Sequence, residues 1–343
     1  MSAWNDPELL KLFLADTPLI DVRAPVEFTE GSLPNAFNLP IINNEERAMV
    51  GTCYKNLGQA AAIKLGHELV SGNLKQERTD QWIKSLKANP ETQIFCFRGG
   101  LRSQIACQWI AEAGINRIPI QGGYKRMRRF FLSKLDESPL PSVIRLSGYT
   151  GSGKTETLKK ITQSIDLEKI ANHRGSAFGE LGIQPSQINF ENELSLALMK
   201  ASQTVVVEDE SAMIGKITIP KRFYFHMKNS PSIILRCSHE DRIQNIFEDY
   251  VVSASFDKIL YSFSKISKRL GGVRYTELEC MIKKAFKSGS KPENHAEWIS
   301  ALLKSYYDPF YEKDLKRQSG QIIFEGTSEE ILEFIKSKNL TRS

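Results

Sequence analysis

Two short runs in this chain carry residue types that do chemistry. The first is Cys96-Phe97-Arg98-Gly99-Gly100-Leu101-Arg102, set between a buried-strand pattern at 93–97 and helical spacing from 101 to 113. The Gly99-Gly100 pair lets the backbone turn tightly and aim its N–H groups inward as an anion nest. The following helix adds its positive N-terminal end, and Arg98 and Arg102 add fixed charge. All of this favours thiolate over thiol at Cys96, and the thiolate is the nucleophile. Such a cysteine can attack a sulfur or selenium donor that bears an anionic leaving group, and can carry the chalcogen as a persulfide or selenosulfide. The plain alternative is a structural thiol at a strand end, which leaves the two arginines and two glycines without a purpose.

The second run, Gly148-Tyr149-Thr150-Gly151-Ser152-Gly153-Lys154-Thr155, fills G-x-x-x-x-G-K-[ST] between an apolar strand at 143–147 and a helical run at 156–161. Gly148, Gly151, Ser152 and Gly153 supply backbone N–H groups around a diphosphate. Lys154 reaches its outer oxygens, and Thr155 can hold Mg²⁺. Glu208 and Asp209, at the end of an apolar strand, are the candidates to assist that metal; solvated surface charge is the alternative. No stably bound metal is expected. The loop reads phosphates and not a base, so it does not by itself imply ATP hydrolysis.

The surrounding chain has 343 residues, 41% hydrophobic and 25% charged, which suggests two ordinary globular domains. No apolar run reaches the roughly 20 residues of a membrane span. The N-terminal residues lack a basic start and an apolar signal core, so a cytoplasmic protein is expected, with no membrane partner. Five cysteines without Cys-x-x-Cys spacing argue against a disulfide framework or a zinc site. Cys53 reads as structural or secondary, and Cys107 as a buried packing residue. The net charge is +6, and the basic residues are clustered. Residues 98–129 hold seven Lys/Arg and one acid, and 257–291 hold nine Lys/Arg and three acids. Such clusters suit phosphate-facing surfaces.

Strand patterns at 18–22, 36–40, 93–97, 143–147, 204–207, 232–235 and 321–325 alternate with helical spacing at 60–69, 81–86, 101–113 and 328–336. This predicts an α/β protein with parallel sheets in both halves. The polar, two-proline stretch 133–142 reads as a linker. It divides a domain at 1–132 from one at 143–343 that includes a helical, basic segment at about 240–311.

Over residues 5–125 the chain resembles the rhodanese family. The marks are Asp21-Val22-Arg23-Ala24-Pro25, Glu27-Phe28, Gly31, Pro34-Asn35-Ala36 and Asn38-Leu39-Pro40 around the Cys96 loop, with Asn35 where the family usually has glycine. The resemblance implies a parallel sheet flanked by helices, with Cys96 as nucleophile. Five residues separate Cys96 from Arg102. That loop is longer than in simple thiosulfate sulfurtransferases and similar to the phosphatase branch of the fold. It suits a tetrahedral phosphate-type donor such as selenophosphate. The second half is similar to P-loop NTPase-like α/β domains.

The fusion of the two halves is itself informative. It carries Asn43-Asn44-Glu45-Glu46-Arg47, Gly51-Thr52-Cys53-Tyr54-Lys55, Gly122-Gly123-Tyr124-Lys125, His173-Arg174-Gly175-Ser176, Phe190-Glu191-Asn192 and Glu208-Asp209-Glu210-Ser211. Together these resemble the bacterial tRNA 2-selenouridine synthases. That resemblance implies a transferase acting on wobble 2-thiouridine of tRNA. It implies geranyl diphosphate and selenophosphate as co-substrates, no prosthetic group, and a transient partner enzyme that supplies selenophosphate. Lys125, Arg126, Arg128 and Arg129 would then hold the tRNA backbone, and His173 and Arg174 would contact phosphate or RNA. Tyr124, Phe130 and Phe131 fit core packing better than base stacking. Two rivals stay open: a P-loop kinase or ATPase with a rhodanese-like regulatory module, and a non-catalytic tRNA-binding persulfide carrier.

Overall fold

The computed structural model describes residues 3–201, 203–252, 254–318, 321–338 and 340. The chain divides into two compact units, Met1–Pro139 with Pro185–Lys200, and Leu140–Gln184 with Ala201–Ser343.

The first unit is built on three parallel strands, β1 (Leu19–Asp21), β2 (Ala36–Asn38) and β3 (Gln93–Phe95), in the order β2-β1-β3. All three residues of β1 are buried, as expected of a central parallel strand covered on both faces. Ile20, Ile94, Trp82, Trp109 and Cys96 share one core cluster. Leu19, Phe95, Phe13, Phe130, Phe131 and Tyr124 form another, so the three aromatics near the basic tract are core residues.

The expected boundaries shift in three places. The helix Gly123–Asp136 runs through the start of the expected linker and the next strand begins at Ser142, so the connection is 137–141. The helix Gln187–Lys200 belongs to the first unit, although a single cut at 143 assigns it to the second. Leu196 enters the Phe130–Phe131 cluster, and Ser195 Oγ donates to the Phe131 carbonyl at 3.1 Å. An amphipathic helix carries no local mark of which core it will cover, so sequence spacing alone could not assign it. Finally, the helix expected at 60–69 is the second arm of a longer element, Asn44–Leu69, broken at Gly58 with φ +83°. Asn43 caps its start in a reciprocal bond with Glu46.

The second unit holds a five-stranded parallel sheet. Its strands are β4 (Ser142–Gly148), β5 (Ser164–Ile165), β6 (Thr204–Glu208), β9 (Ser232–Leu235) and β10 (Ile322–Gly326), and a separate hairpin pairs β7 (Met213–Ile214) with β8 (Ile217–Thr218). The order is β10-β9-β4-β6-β5. β6 and β9 lie on opposite sides of β4, so connections leave in opposite directions and open a crevice at the carboxyl end of β4. The run Gly148–Thr155 starts at that end. The expected helical segment is present as successive helices from His239–Ile246 to Asp308–Gln318, with its own core around Phe263, Ile282 and Trp298. Among the described residues, no helix is long and apolar enough to cross a membrane.

Candidate active site

Cys96 directly follows β3 and is 3% exposed. Ser103 Oγ donates to its sulfur at 3.2 Å, and the helix Leu101–Glu112 opens at Gly100 immediately after the loop. Gly99 takes φ +67°, a left-handed conformation in which a side chain would press on the Ile120 carbonyl. Gly123, at φ +53°, leaves no room for a Cβ against the Cys96 carbonyl and the Gly99 amide. This close approach lets the Tyr124 and Lys125 amides donate to the Cys96 and Phe97 carbonyls, each at 2.9 Å. The Gly122-Gly123-Tyr124-Lys125 motif thus holds the Cys96 loop from behind.

The two loop arginines differ. Arg98 is exposed, its guanidinium 5.8 Å from the Phe97 ring centroid. Arg102 is half-buried and grips both oxygens of Glu27, at 2.5 and 3.0 Å. Burial works against the Glu27 charge, but Arg102 and then Arg47 hold its carboxyl below the ordinary carboxylate range. The result is a fixed ion pair beside the thiol. Ser103 was missed in the sequence; its place directly after Arg102, at the start of the helix, is the signal that marks it. Cys107 is a packing residue: burial pushes its thiol up to about 11, far from a thiolate at neutral pH.

In the second unit, Gly151 and Gly153 take φ +80° and +83°, so the phosphate loop adopts a turn that side chains disfavour. A Cβ on Gly148 would stand 2.8 Å from Ser152 Oγ and 2.9 Å from the Leu235 carbonyl. Lys154 Nζ donates to the Gly148 carbonyl at 3.1 Å, and Thr155 lies in the first turn of the helix Lys154–Lys159. Ser152 Oγ is buried without a hydrogen-bond partner. Two residues that sequence reasoning missed brace the loop. Arg242, paired with Asp308 at 2.5 Å, donates to the Thr150 carbonyl at 2.9 Å, and Asn245 donates to the Gly151 carbonyl at 2.8 Å.

The two acids at the strand end part company. Asp209 accepts from Lys228 at 2.6 Å and Ser147 at 2.5 Å and pairs with Arg145 at 3.3 Å. Burial opposes its charge, but Lys228 foremost holds its carboxyl below the usual range. Both of its oxygens are engaged by these three side chains. Glu208 instead gathers with Glu168 and Glu210, one carboxylate oxygen of each lying within 4.8 Å of the others. The reason is the period of two in extended chain: Glu208 and Glu210 share a side, and Asp209 takes the other. That alternation was available in the sequence; Glu168, on the short helix Leu167–Ala171, was not.

Burial first, then neighbouring carboxylates, pushes Glu168 up to about 9 (Glu208 and Glu210), Glu208 to about 7 (Asp166 and Asp209) and Glu210 to about 8 (Glu208 and Asp209), while Lys154 is the main opposing charge on each. Glu208 Oε2 is buried with no partner. Such an oxygen-rich, proton-holding group fits a hard divalent cation beside a phosphate. A pH prediction follows from the sign of these shifts. Without a divalent cation, the folded state keeps protons that the unfolded chain loses near its ordinary carboxyl value of 4.5. Stability conferred by those protons is fully present below about 4.5, falls as pH rises above it, and is fully lost once pH passes the folded values of about 7 to 9. Thermal unfolding of the metal-free protein should therefore fall in midpoint over that window, and the fall should be shallower in Glu210→Gln. Equal slopes for the two proteins would contradict this charge assignment.

The predicted RNA-facing residues also separate. Lys125 and Arg129 are exposed. Arg126 is tied to Asp6 and Glu8, each at 2.7 Å. Arg128 pairs with Glu191 and donates to Asn192 at 2.8 Å. Those two guanidinium groups are therefore used to hold the first unit together. His173 bridges to Glu180 through the backbone, and burial holds its imidazole below the ordinary value. Arg174 pairs with Asp249 at 3.1 Å and lies over the Tyr250 ring.

With this geometry in hand, the comparisons with known proteins are specific. A family model described as the tRNA 2-selenouridine synthase AAA domain matches residues 141–342. A tRNA 2-selenouridine synthase of Shewanella sp. strain ANA-3 is 42% identical, covering 94% of this chain and 96% of the relative. The protein of that name from Shewanella denitrificans is 45% identical over 93% of this chain and 94% of its own. The one from Nitrosomonas europaea is 41% identical over 96% and 97%. The three relatives span both units, the family model the second, and the chain belongs to the tRNA 2-selenouridine synthase family.

Proposed function

We propose that this chain is a transferase that replaces sulfur by selenium at C2 of wobble 2-thiouridine in tRNA, in two steps. In the first, the thiocarbonyl sulfur attacks C1 of geranyl diphosphate. A C–S bond forms, the C–O bond breaks, and diphosphate leaves with the electron pair. In the second, selenium from selenophosphate bonds to C2, the C–S bond breaks and geranyl thiol departs, while the Se–P bond is hydrolysed to phosphate. Alkylation turns a poor leaving group into a good one, so the first step enables the second.

The observation that carries this reading is the likeness to relatives named for that product over more than nine-tenths of both chains. The two loops supply matching chemistry. The phosphate loop offers backbone N–H groups and Lys154 to the charge that develops on departing diphosphate. Glu168, Glu208 and Glu210 would hold a divalent cation, which would neutralise part of that charge. Cys96, with Ser103 and the Arg102–Glu27 pair beside it, handles the selenium donor. Transfer RNA is the macromolecular substrate, and an enzyme that makes selenophosphate would be the transient partner.

Mass spectrometry of nucleosides from tRNA incubated with geranyl diphosphate and selenophosphate, separately and together, tests the proposal. The expected products are S-geranyl-2-thiouridine with the first donor alone and 2-selenouridine with both. Nucleotide turnover with no change in the nucleoside would overturn it. Lys125→Glu with Arg129→Glu should weaken tRNA binding and lower the salt slope by about 1 for each phosphate no longer neutralised. Arg128→Glu should instead lower the thermal midpoint, because it leaves Glu191 without its partner. A salt slope unaltered in the double variant would place the RNA on another surface.

A further inference from the structure

A cavity in the first unit reaches Glu27, Arg47 and Arg102 and is otherwise lined by residues given no chemical role above. Its volume is about 820 Å³, within the roughly 300–1,000 Å³ of small-molecule sites. One wall is the broken helix Asn44–Leu69. Its two arms turn back on each other at Gly58, and Val50 stands 3.9 Å from where a Cβ of Gly66 would be. The other wall is the helix that follows the cysteine loop, through Leu101, Arg102 and Ile105. Ile41, Val70 and Trp109 complete it, and these belong to the same apolar cluster as Cys96. The cavity therefore opens beside the reactive loop and shares its core.

Its lining is apolar with a charged rim. Ile42, Val50, Ala62, Ile63 and Ile105 line the inside, whereas Arg47, Lys55 and the Arg102–Glu27 pair stand among the polar lining groups. The hairpin wall is firmly based. Arg78 grips both Glu46 oxygens at 2.9 Å and also donates to the Ile41 carbonyl, so the cap of the first arm is locked to a neighbouring helix. Farther out, Tyr54 and Leu57 are 57% and 73% exposed, so the arms near the bend lack a covering layer of their own. An apolar chamber of this size, with three cationic groups among its lining, suits a ligand with a long hydrocarbon part attached to something anionic.

From this we infer that the cavity takes the prenyl chain of the S-alkylated nucleoside during selenium transfer. The inference rests on the two-step reading above and deepens it. The hydrocarbon sits among Ile42, Ala62, Ile63 and Ile105, and the cationic rim faces the RNA phosphates on either side of the nucleoside. The C2–S bond then lies toward the Cys96 loop. When that bond breaks, the thiol that leaves carries the hydrocarbon that the cavity holds, so the same contacts that select the alkylated nucleoside orient its leaving group. The second source of a prenyl chain is geranyl diphosphate itself. The cavity adjoins the selenium-handling loop through Leu101 and Arg102, which assigns it to the alkylated nucleoside.

The test uses the full chain and two short RNAs, one with S-geranyl-2-thiouridine and one with S-methyl-2-thiouridine, each given selenophosphate. Wild-type protein should convert the geranyl RNA with a kcat/KM at least about 10²-fold above the methyl RNA, since each buried methylene contributes to discrimination. Ala62→Phe and Ile63→Trp fill the chamber from the same wall, and Ile63 is only half-buried, so its variant is the safer for folding. In either variant that unfolds at a wild-type temperature, the geranyl-to-methyl ratio should fall toward 1. A ratio that stays at the wild-type value in a folded variant overturns the inference. Slower geranyl transfer from geranyl diphosphate with the ratio unchanged also overturns it, by giving the chamber to the donor. Failure of wild-type protein to convert geranyl RNA at all would instead sink the two-step reading.

Discussion

Cys96→Ser is expected to stop selenium incorporation, by about 10³-fold or more, while S-geranyl-2-thiouridine still forms and accumulates. Serine nearly matches the cysteine in shape, so the loop should survive: the site is 3% exposed and its polar neighbour, Ser103 Oγ, can bond an oxygen as well as a sulfur. What disappears is the sulfur nucleophile, because a hydroxyl is a far weaker one. The split between the two steps is the informative part. A folding defect would depress both, whereas removal of a group needed only for the second leaves the first at the wild-type rate. Nucleoside mass spectrometry reads both products in one digest. A normal yield of 2-selenouridine from Cys96→Ser would remove this residue from the chemistry.

Lys154→Ala should do the opposite, slowing geranyl transfer by about 10²–10³-fold. In the structure Lys154 Nζ rests on the Gly148 carbonyl at 3.1 Å, an interaction that a diphosphate oxygen would replace. The charge on that oxygen grows as the C–O bond breaks, so the lysine contributes more in the transition state than in the bound ground state. The glycine conformations and the bracing by Arg242 and Asn245 do not involve the Lys154 side chain, so the loop itself should persist. Selenium transfer to RNA that already carries the geranyl group should proceed at the wild-type rate, which serves as an internal control. An unchanged alkylation rate at limiting geranyl diphosphate would count against a diphosphate cradle.

Local signals in the chain were legible where one element decides the outcome. The strand pattern at 18–22 became Leu19–Asp21, the pattern at 93–97 became Gln93–Phe95, and helical spacing from 101 became Leu101–Glu112. The strands are short apolar runs, and the helix is bounded by Gly99-Gly100 before it and Gly114 after it. Short edge elements were not legible. Ser164–Ile165 has only two residues, too few for a pattern, and exists because it pairs with Val206 and Val207 of the strong strand beside it.

The sites followed the same rule. Loop chemistry is a matter of consecutive residues, so Cys96–Arg102 and Gly148–Thr155 could be read directly. Charge partnerships are matters of distance in space. Nothing in the run Lys125-Arg126-Met127-Arg128-Arg129 says that Arg126 will meet Asp6 and Arg128 will meet Glu191, leaving Lys125 and Arg129 on the surface. Helical geometry could have warned that consecutive side chains point about 100° apart and cannot all face one ligand.

By itself, then, the sequence located two loops of this protein: a thiol-bearing loop at a strand end and a glycine-rich loop at the switch into a helix. Both depend on backbone conformation set by neighbouring glycines, which are local. Only the tertiary structure decided which charges remain available to a ligand. It placed Glu168 with Glu208 and Glu210 while Asp209 went to Arg145 and Lys228, returned the helix Gln187–Lys200 to the first unit, and opened an apolar chamber beside Cys96. The physical reason is common to all of these. Burial and Coulomb energy are set by what lies within a few ångströms, and for these groups the neighbours are tens to more than a hundred residues away along the chain.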